Sequence, residues 1–531
     1  MLMLRKYNKV LWIVLFSVIV LLALSSFLAW VSNGFAGVNG WKSFFAIGIA
    51  GEVLYCFTLR VFAREKVPGW LIGFLLGVVL LRLALGVVLF AELPEWGYGT
   101  KVERAGYVMS DAYERDTTAW LLAHSDKPLT SAFHDYRKVD QYGGLLFLSA
   151  AVYRYFGGEV HQPLLMVLLV SLFSSLTVLF TWGFVRRLWG YGAAAFAAGV
   201  AGLFPDAILV GGSQMREAFT MTLAAMVVYG FVLVWQEKSK WGMGLIIGVL
   251  VGSLFLSPFF TVMLLIVLGL LALFVSEWRV LRDWRFWAGI LLALVVLLGL
   301  VWAFGEKLLP GFHGNAPEIL STWFKYATKW QLYLSQRASG WIQKVLRSTP
   351  GWSHVFLLLV YGIVRPFLPA ALVATGQPVW KAIAVFRAAG WTLLLPVLVY
   401  TFFRSIFTFK KQRVAAALSI AIWLILIIAS LRGGGDQWDN PRYRLSLICL
   451  QAAMAGWVWM QNRRKPDLWL RRIVLALFAV FLWFVPWYLR RYTQLDWPVQ
   501  DVFKTLGLGI VSAVLLWIWD WMRLKKKRNE R

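Results

Sequence analysis

Long apolar segments separated by short polar ones dominate the 531-residue sequence. A helix that crosses the ~30 Å hydrocarbon core of a bilayer needs about 20 apolar residues, and segments of that kind recur along the chain. Lipid tails offer no hydrogen-bond partners. The backbone N–H and C=O groups of such a segment must therefore bond to one another, as they do in a helix. Hydrophobic residues make up 60% of the chain and charged residues 15%, against about 45–50% and about 25% in soluble domains. The sequence therefore predicts an all-α, polytopic transmembrane protein.

One helix for each apolar run of about 20 residues gives about 14 predicted spans. They lie near residues 9–31, 42–63, 69–91, 163–185, 191–211, 216–236, 242–257, 258–275, 285–304, 390–408, 413–431, 444–462, 471–488 and 503–522. A further apolar stretch, 353–380, is interrupted by Pro366, Pro369 and Pro378. Broken backbone at membrane depth requires protein or water beside it, so this stretch is predicted to be a re-entrant hairpin or two short spans.

The net charge of +27 is concentrated in short basic runs beside the apolar segments, such as Arg186-Arg187, Lys410-Lys411 and Arg463-Arg464-Lys465. Basic residues gather on the cytoplasmic side of membrane proteins. We therefore expect a multi-pass protein of the plasma membrane with both termini in the cytoplasm. No nucleic-acid recognition motif accompanies the charge, so no nucleic-acid partner is expected.

The polar segments divide the chain into four regions. Two N-terminal spans (1–68) precede a transmembrane core (69–304), which is followed by an outer loop (305–352) and a C-terminal transmembrane region (353–531). The core contains the first large outer loop, 92–162, and a polar loop of that length is rarely a mere connector. We expect the functional side chains there, on short juxtamembrane helices, because Leu145 to Phe156 is amphipathic.

Four short motifs follow one another in the core. Ser110-Asp111-Ala112-Tyr113-Glu114-Arg115-Asp116 and Asp140-Gln141-Tyr142-Gly143-Gly144 lie in the loop, a small inner turn precedes Phe204-Pro205-Asp206, and Ser213-Gln214-Met215-Arg216-Glu217 opens a helix. In this order they resemble the GT-C superfamily of membrane glycosyltransferases, in particular its bacterial protein O-mannosyltransferase-like and aminoarabinose-transferase-like branches. The resemblance covers residues 69–275, with Arg442-Tyr443-Arg444 beyond them.

The resemblance implies an enzyme that moves a sugar from a polyprenyl-phosphate donor to a hydroxyl acceptor on a lipid, glycan or protein at the extracytoplasmic face. Asp111 stands where these families carry their acid, and transfer to a hydroxyl needs a carboxylate that takes up the proton. We predict Asp111 as the base, with Asp116 and Glu217 as further catalytic candidates. A single displacement would invert the anomeric carbon. Asp111, with Glu114 three residues later, also fits an N-terminal helix cap, and the two roles are compatible.

Several cationic side chains are candidates for binding the lipid phosphate. Arg115 lies one helical turn from Asp111, Arg216 begins a helix whose N-terminus favours an anion, and a charge such as Arg365 within an apolar stretch usually faces a cavity. The predicted phosphate-binding residues are Arg115, Arg216, Arg365, Arg442, Tyr443 and Arg444. Each also has a structural interpretation, as a surface ion pair, a helix-end charge or a side chain that extends to the membrane surface.

The five histidines show no metal-ligand spacing, so no metal site is predicted. A divalent cation held by Asp111 and a second acid is the open alternative. Membrane lipids are expected partners, and no obligate protein partner is inferred. The competing functions are a transporter or flippase of lipid-linked saccharides and a non-enzymatic envelope-assembly subunit. A transporter should carry broken helices in both halves, whereas this chain has one such stretch, 353–380.

Overall fold

The computed structural model describes residues 2–277, 279–284, 287–289, 291, 295, 340–434, 439–493 and 495–529. Over these residues the chain is helical and contains no β-strand. The helices before residue 280 are α1 Leu2–Ser32, α2 Trp41–Val61, α3 Gly69–Trp96, α4 Lys101–Arg104, α5 Ser110–Ala123, α6 Gly144–Phe156, α7 Leu164–Trp189, α8 Tyr191–Leu203, α9 Pro205–Gly211, α10 Arg216–Glu237, α11 Lys240–Leu256 and α12 Pro258–Val275. Those from residue 340 onwards are α13 Gly340–Ser348, α14 His354–Val364, α15 Leu368–Val373, α16 Pro378–Phe407, α17 Arg413–Gly433, α18 Asp439–Leu445, α19 Ile448–Arg464, α20 Leu468–Tyr492 and α21 Val502–Asn529.

Ten of the described helices are long and apolar enough to cross a membrane, or eleven if the bent pair α8 and α9 counts as one span. Large apolar side chains such as Val53, Leu80 and Leu393 are exposed on them. A soluble protein would bury most such side chains, whereas lipid is an apolar solvent for them. The predicted all-α, polytopic fold is confirmed.

The number of spans stays a prediction. The predicted span 285–304 lies mostly outside the described residues. Two further predicted spans, 242–257 and 444–462, form α11 and α19, which have 17 residues each. That length is at the lower limit for a crossing helix of ~17–25 residues.

The proline-broken stretch 353–380 contains two short helices and the start of a long one. α14 ends before Arg365-Pro366, α15 follows, and α16 then begins at Pro378. Proline suits the first turn of a helix because its missing N–H is not needed there. For that reason Pro378 starts a helix of 30 residues, and the span expected from residue 390 begins earlier.

The chain divides into two compact units, one of Met1–Phe184 with Ala201–Thr261 and the other of Val185–Val200 with Val262–Arg531. The first unit contains loop 92–162, which forms α4, α5, a 3₁₀ turn at Leu129–Phe133, and α6. The short helices predicted in this loop are therefore confirmed. Their orientation to the membrane and the four-region division of the chain stay predictions.

Burial of one apolar stripe fixes the loop onto the first unit. Leu122 of α5, Leu146 and Tyr153 of α6 and Leu165 of α7 are all 1% exposed or less and belong to a single cluster. Side chains that are fully buried in this way each contribute about 1.5–3 kcal/mol. Hence the loop is a packed layer of helices, and its polar side chains have defined positions.

Candidate functional site

Helix α5 carries three of the predicted site residues, beginning with Asp111 in its first turn. The helix is preceded by Met109 in an extended conformation (φ −125°, ψ 131°), and no side chain caps it. The interpretation of Asp111 as the capping residue is therefore wrong, because Asp111 lies inside the helix. Its carboxylate is exposed and lies near the positive end of the helix dipole, which stabilises a negative charge.

Arg115 follows Asp111 by one turn but is buried. Its Nη1 donates to the backbone carbonyl of Gln214 at 3.4 Å, and its Nε lies 3.8 Å from the carboxylate of Asp140. These two contacts link α5 to the segment that precedes α10 and to the end of the loop. Arg115 is thus held in place by groups distant in sequence.

Asp140 anchors the site. Its side chain is fully buried, accepts from Nη2 of Arg216 at 2.5 Å, and accepts from the backbone N–H of Leu146 at 3.0 Å. Burial alone would raise the pKa of Asp140. The charges of Arg216 and Arg115, with the N–H groups of Leu146 and Tyr142, outweigh burial and hold the pKa below its ordinary value. Asp140 is therefore an ionised, buried carboxylate shared by two guanidinium groups.

Asp140 belongs to one of the four motifs but is not among the predicted site residues. Its signal in the sequence is the pair Gly143-Gly144 that follows it. Gly143 has a positive φ of 76°, and a Cβ on Gly144 would lie 1.8 Å from the carbonyl oxygen of Phe255. Only glycine fits such a turn and close approach. An acid placed just before a turn of this kind, at the start of an amphipathic helix, meets the unpaired N–H groups of the first turn.

Arg216 and Glu217 begin α10, after Met215 in an extended conformation. The guanidinium carbon of Arg216 lies 4.8 Å from the ring centre of Tyr142, and its side chain is 19% exposed. One carboxylate oxygen of Glu217 is buried, with no hydrogen-bond partner among the described residues. A buried acceptor without a donor is rare and suits a hydroxyl supplied by a ligand.

We name these five residues the Asp140 cluster: Asp111, Arg115, Asp140, Arg216 and Glu217. Burial lowers the pKa of Arg115 below its ordinary value, Arg216 adds to the shift, and the three carboxylates oppose it. The cluster therefore combines three carboxylates and two guanidinium groups. The charges of the other four residues all act on Arg115. Four of the predicted site residues, from two separate motifs, are brought together here.

Asp116 lies in a different environment from Asp111. It is 1% exposed and accepts from the hydroxyl groups of Tyr107 at 2.6 Å and Tyr153 at 2.8 Å, while Nε2 of His161 lies 3.0 Å away. Burial and the neighbouring Asp116 carboxylate raise the pKa of both tyrosines well above the ordinary value, so both keep their protons. Three partners thus occupy this carboxylate, and its role as a reserve catalytic acid stays a prediction.

The remaining predicted phosphate ligands lie in the second unit. Nη1 of Arg444 donates to the backbone carbonyl of Arg365 at 2.7 Å, and its guanidinium carbon lies 3.4 Å from the ring centre of Trp391. Arg442 is buried as well, and the ring of Tyr443 lies 4.8 Å from the guanidinium of Arg432. This part of the chain therefore concentrates positive charge within its own unit.

Among the residues that the structure describes, no group of three or more His, Cys, Asp or Glu side chains could hold a metal ion. The Asp140 cluster offers Asp111 and Glu217 as oxygen ligands, which is the donor type that hard divalent cations prefer. A divalent cation held by Asp111 and a second acid stays an open alternative.

A family model described as dolichyl-phosphate-mannose-protein mannosyltransferase matches residues 146–302. This segment includes Arg216 and Glu217, whereas Asp111, Arg115 and Asp140 precede it. Among curated proteins, none matches the sequence.

Among solved structures, the chain is similar to the archaeal oligosaccharyltransferase AglB from Archaeoglobus fulgidus in complex with an inhibitory peptide and a dolichol-phosphate. The TM-score is 0.38 and the sequence identity 14%, over 84% of this chain and 56% of that chain. The present chain thus spans little more than half the length of that protein. The mannosyltransferase match confirms what the motifs indicate, namely that this chain is similar to the membrane glycosyltransferases of the GT-C superfamily.

Proposed function

We propose that this protein is a membrane glycosyltransferase that moves a sugar from a polyprenyl-phosphate donor to a hydroxyl acceptor on the extracytoplasmic face. The family match supports the transferase class and the kind of donor. The Asp140 cluster is the observation that carries the assignment of residues. It sets an exposed carboxylate, Asp111, one helical turn from Arg115, and a buried acid holds Arg115 and Arg216 in place.

Asp111 is the base in this proposal. The acceptor hydroxyl attacks the anomeric carbon while Asp111 takes the hydroxyl proton. The bond between the anomeric carbon and the phosphate oxygen breaks, and polyprenyl phosphate leaves with that electron pair. The sugar is inverted at the anomeric carbon if this displacement occurs in one step.

The two arginines of the cluster have different tasks. Arg216 is partly exposed and tied to Asp140 and Tyr142, so it can stabilise the charge that develops on the departing phosphate without reorganising. Arg115 is buried and acts by positioning. Glu217 supplies an oxygen that can accept from the acceptor hydroxyl or a sugar hydroxyl. Arg365, Arg442, Tyr443 and Arg444 remain candidates for further phosphate contacts.

The test is an assay of purified protein with polyprenyl-phosphate-linked sugars and a panel of hydroxyl acceptors. Asp111→Asn keeps the size of the side chain but removes the proton acceptor, so turnover should fall roughly 100-fold or more. Glu114→Gln is the matched control, because Glu114 is exposed on the same helix and should keep turnover within about twofold. NMR of the product reports whether the anomeric configuration is inverted.

Three outcomes would count against the proposal. Turnover of Asp111→Asn within a few-fold of the parent would remove Asp111 as the base. Retention of configuration would exclude a single displacement. Movement of a lipid-linked saccharide across a vesicle membrane, without sugar transfer and unchanged in Asp111→Asn, would instead support a flippase.

A further inference from the structure

A cavity of about 420 Å³ lies in the first unit, apart from the Asp140 cluster. Ser32 at the end of α1 and Pro94 near the end of α3 line it, as do Tyr113 and Thr117 of α5. None of the five cluster residues lines the cavity. Both α1 and α3 contain candidate membrane spans, so a cavity at their ends lies where hydrocarbon gives way to lipid headgroups.

Arg104 gives this cavity a positive charge, and no acid among the described residues forms an ion pair with it. Its guanidinium is exposed and has no ion pair or hydrogen bond within the part of the chain that the structure describes. Arg115 and Arg216, by contrast, share Asp140. A guanidinium group with free donors favours phosphate or carboxylate, which it can bind through two parallel hydrogen bonds.

His161 gives the same cavity a hydrogen-bonding group. Its Nε2 lies 3.0 Å from the buried carboxylate of Asp116, and its ring stacks on Trp120 at 5.2 Å. The carboxylate selects the tautomer that carries the proton on Nε2. Nδ1 is then an acceptor, and no protein group in the described residues donates to it. The side chain is 24% exposed, so a ligand can reach it.

Apolar side chains form much of the remaining lining. Val31 of α1, Phe90 and Ala91 of α3, and Pro163 contribute apolar surface to it. The cavity thus has a cationic group, an acceptor and an apolar wall. Those three features match an amphiphile with an anionic head and an alkyl chain.

We propose that this cavity binds a membrane lipid through a phosphate monoester headgroup. Arg104 pairs with the phosphate, and the protonated phosphate oxygen donates a hydrogen bond to Nδ1 of His161. The first carbons of the lipid lie on the apolar wall. A phosphate monoester titrates near neutral pH, with a second pKa of about 6, so it has a proton to share. A phosphodiester or a carboxylate has none. The site does not depend on the proposed sugar transfer, because neither Arg104 nor His161 has a part in that reaction.

The test measures binding to the purified full-length protein by isothermal titration calorimetry. The probes are dihexanoyl phosphatidic acid, a monoester; dihexanoyl phosphatidylglycerol, a diester; and inorganic phosphate. Phosphatidic acid should bind about 10-fold or more tightly than either of the others. Arg104→Gln should weaken that binding by about 10-fold or more, since a hydrogen bond to a charged group is lost.

Two control pairs keep the result interpretable. Lys138→Gln makes the same change of charge at an exposed position of the loop that does not line the cavity, and its affinity should stay within about twofold of the parent. Thr117→Phe fills the cavity and should abolish binding of phosphatidic acid. Thr118→Phe, one residue further along α5 and outside the lining, should not.

Several results would overturn the proposal. Equal affinity of the parent and Arg104→Gln for phosphatidic acid would show that Arg104 does not contact the phosphate. Equal affinity for the monoester and the diester would show that His161 does not bind the phosphate proton. Inorganic phosphate that binds as tightly as phosphatidic acid would show that the lipid chain has no part. If Arg104→Gln fails to fold, unchanged binding in Thr117→Phe would by itself exclude the cavity.

Discussion

Asp140 shows how the first unit keeps charges inside a protein layer. A buried carboxylate is costly unless opposite charges and hydrogen bonds compensate for it. Asp140 has Arg216 at 2.5 Å, Arg115 at 3.8 Å and the N–H of Leu146 at 3.0 Å. Removing it leaves two guanidinium groups without their shared counter-charge.

We therefore expect Asp140→Asn to destabilise the protein strongly. Breaking a buried ion pair by removing one partner costs about 3–5 kcal/mol. Unfolding of the purified protein in detergent, followed by tryptophan fluorescence in increasing denaturant, measures the change. Asp135→Asn is the control, because Asp135 forms an exposed pair with Lys127 and should cost at most about 1 kcal/mol. Equal stability of Asp140→Asn and the parent would show that the pairs contribute nothing.

The same residue predicts a dependence of stability on pH. The pKa of Asp140 is lower in the folded protein than its ordinary value, so the folded state binds fewer protons there than the unfolded state does. Its contribution to stability is then fully present above the unfolded pKa of about 4 and is lost as pH falls through the lower folded value. As the pH falls from about 5 to about 3, the midpoint temperature of thermal unfolding should decrease more steeply in the parent than in Asp140→Asn. Parallel shifts in the two proteins would contradict this assignment.

Among the helices, the break between α8 and α9 leaves a backbone carbonyl group that a side chain satisfies. In a continuous helix the carbonyl of Ala201 would accept from the backbone N–H of residue 205. That residue is Pro205, which has no N–H. Nη2 of Arg82 lies 3.3 Å from the Ala201 carbonyl, and Nη1 lies 2.9 Å from Oγ of Ser174. The fully buried Arg82 thus supplies the donor that proline removes.

A double-mutant cycle tests this pairing. Arg82→Met leaves the Ala201 carbonyl without a donor, which should cost about 1–3 kcal/mol. In a Pro205→Ala background the backbone N–H returns, so the same Arg82→Met change should cost about 1 kcal/mol less. The free energy of unfolding of the four proteins gives the coupling. Additive changes would mean that Arg82 does not compensate for the proline.

At the scale of the whole molecule, α10 relates the site to the membrane. It runs from Arg216, in the Asp140 cluster, to Glu237. Its 22 residues span about 33 Å at 1.5 Å per residue, which matches the ~30 Å hydrocarbon core. The loop that carries Asp140 and the far end of α10 should therefore lie on opposite sides of the membrane.

Cysteine labelling in intact cells tests the proposed orientation. Cys56 and Cys449 are first replaced by serine to remove the background. Asp126→Cys lies on the exposed surface of the loop and should react with a membrane-impermeant maleimide added from outside. Glu237→Cys should react only after the cells are permeabilised, because basic residues near it mark the cytoplasmic side. The reverse pattern would place the site on the inner face.

Which residues form helices could be read from the sequence, and so could part of the site. Helix formation in lipid depends on runs of consecutive apolar residues, and the placement of Asp111 and Arg115 one turn apart on one helix follows from helical spacing. The glycines after Asp140 and the start of α10 at Arg216 are likewise local features. These properties depend on neighbours in the chain, so no knowledge of the fold is needed to recognise them.

Tertiary structure alone decided which charged residues meet. Asp140 pairs with Arg216 because α10 begins beside the end of the loop, and Asp116 faces Tyr153 and His161 because α6 packs against α5. Sequence spacing shows only that Asp111 and Asp116 are two acids five residues apart, and it does not report how deeply either one is buried. Packing buries Asp116 among three partners and leaves Asp111 exposed. The difference arises because burial and hydrogen bonding come from residues distant in sequence, which local pattern cannot report.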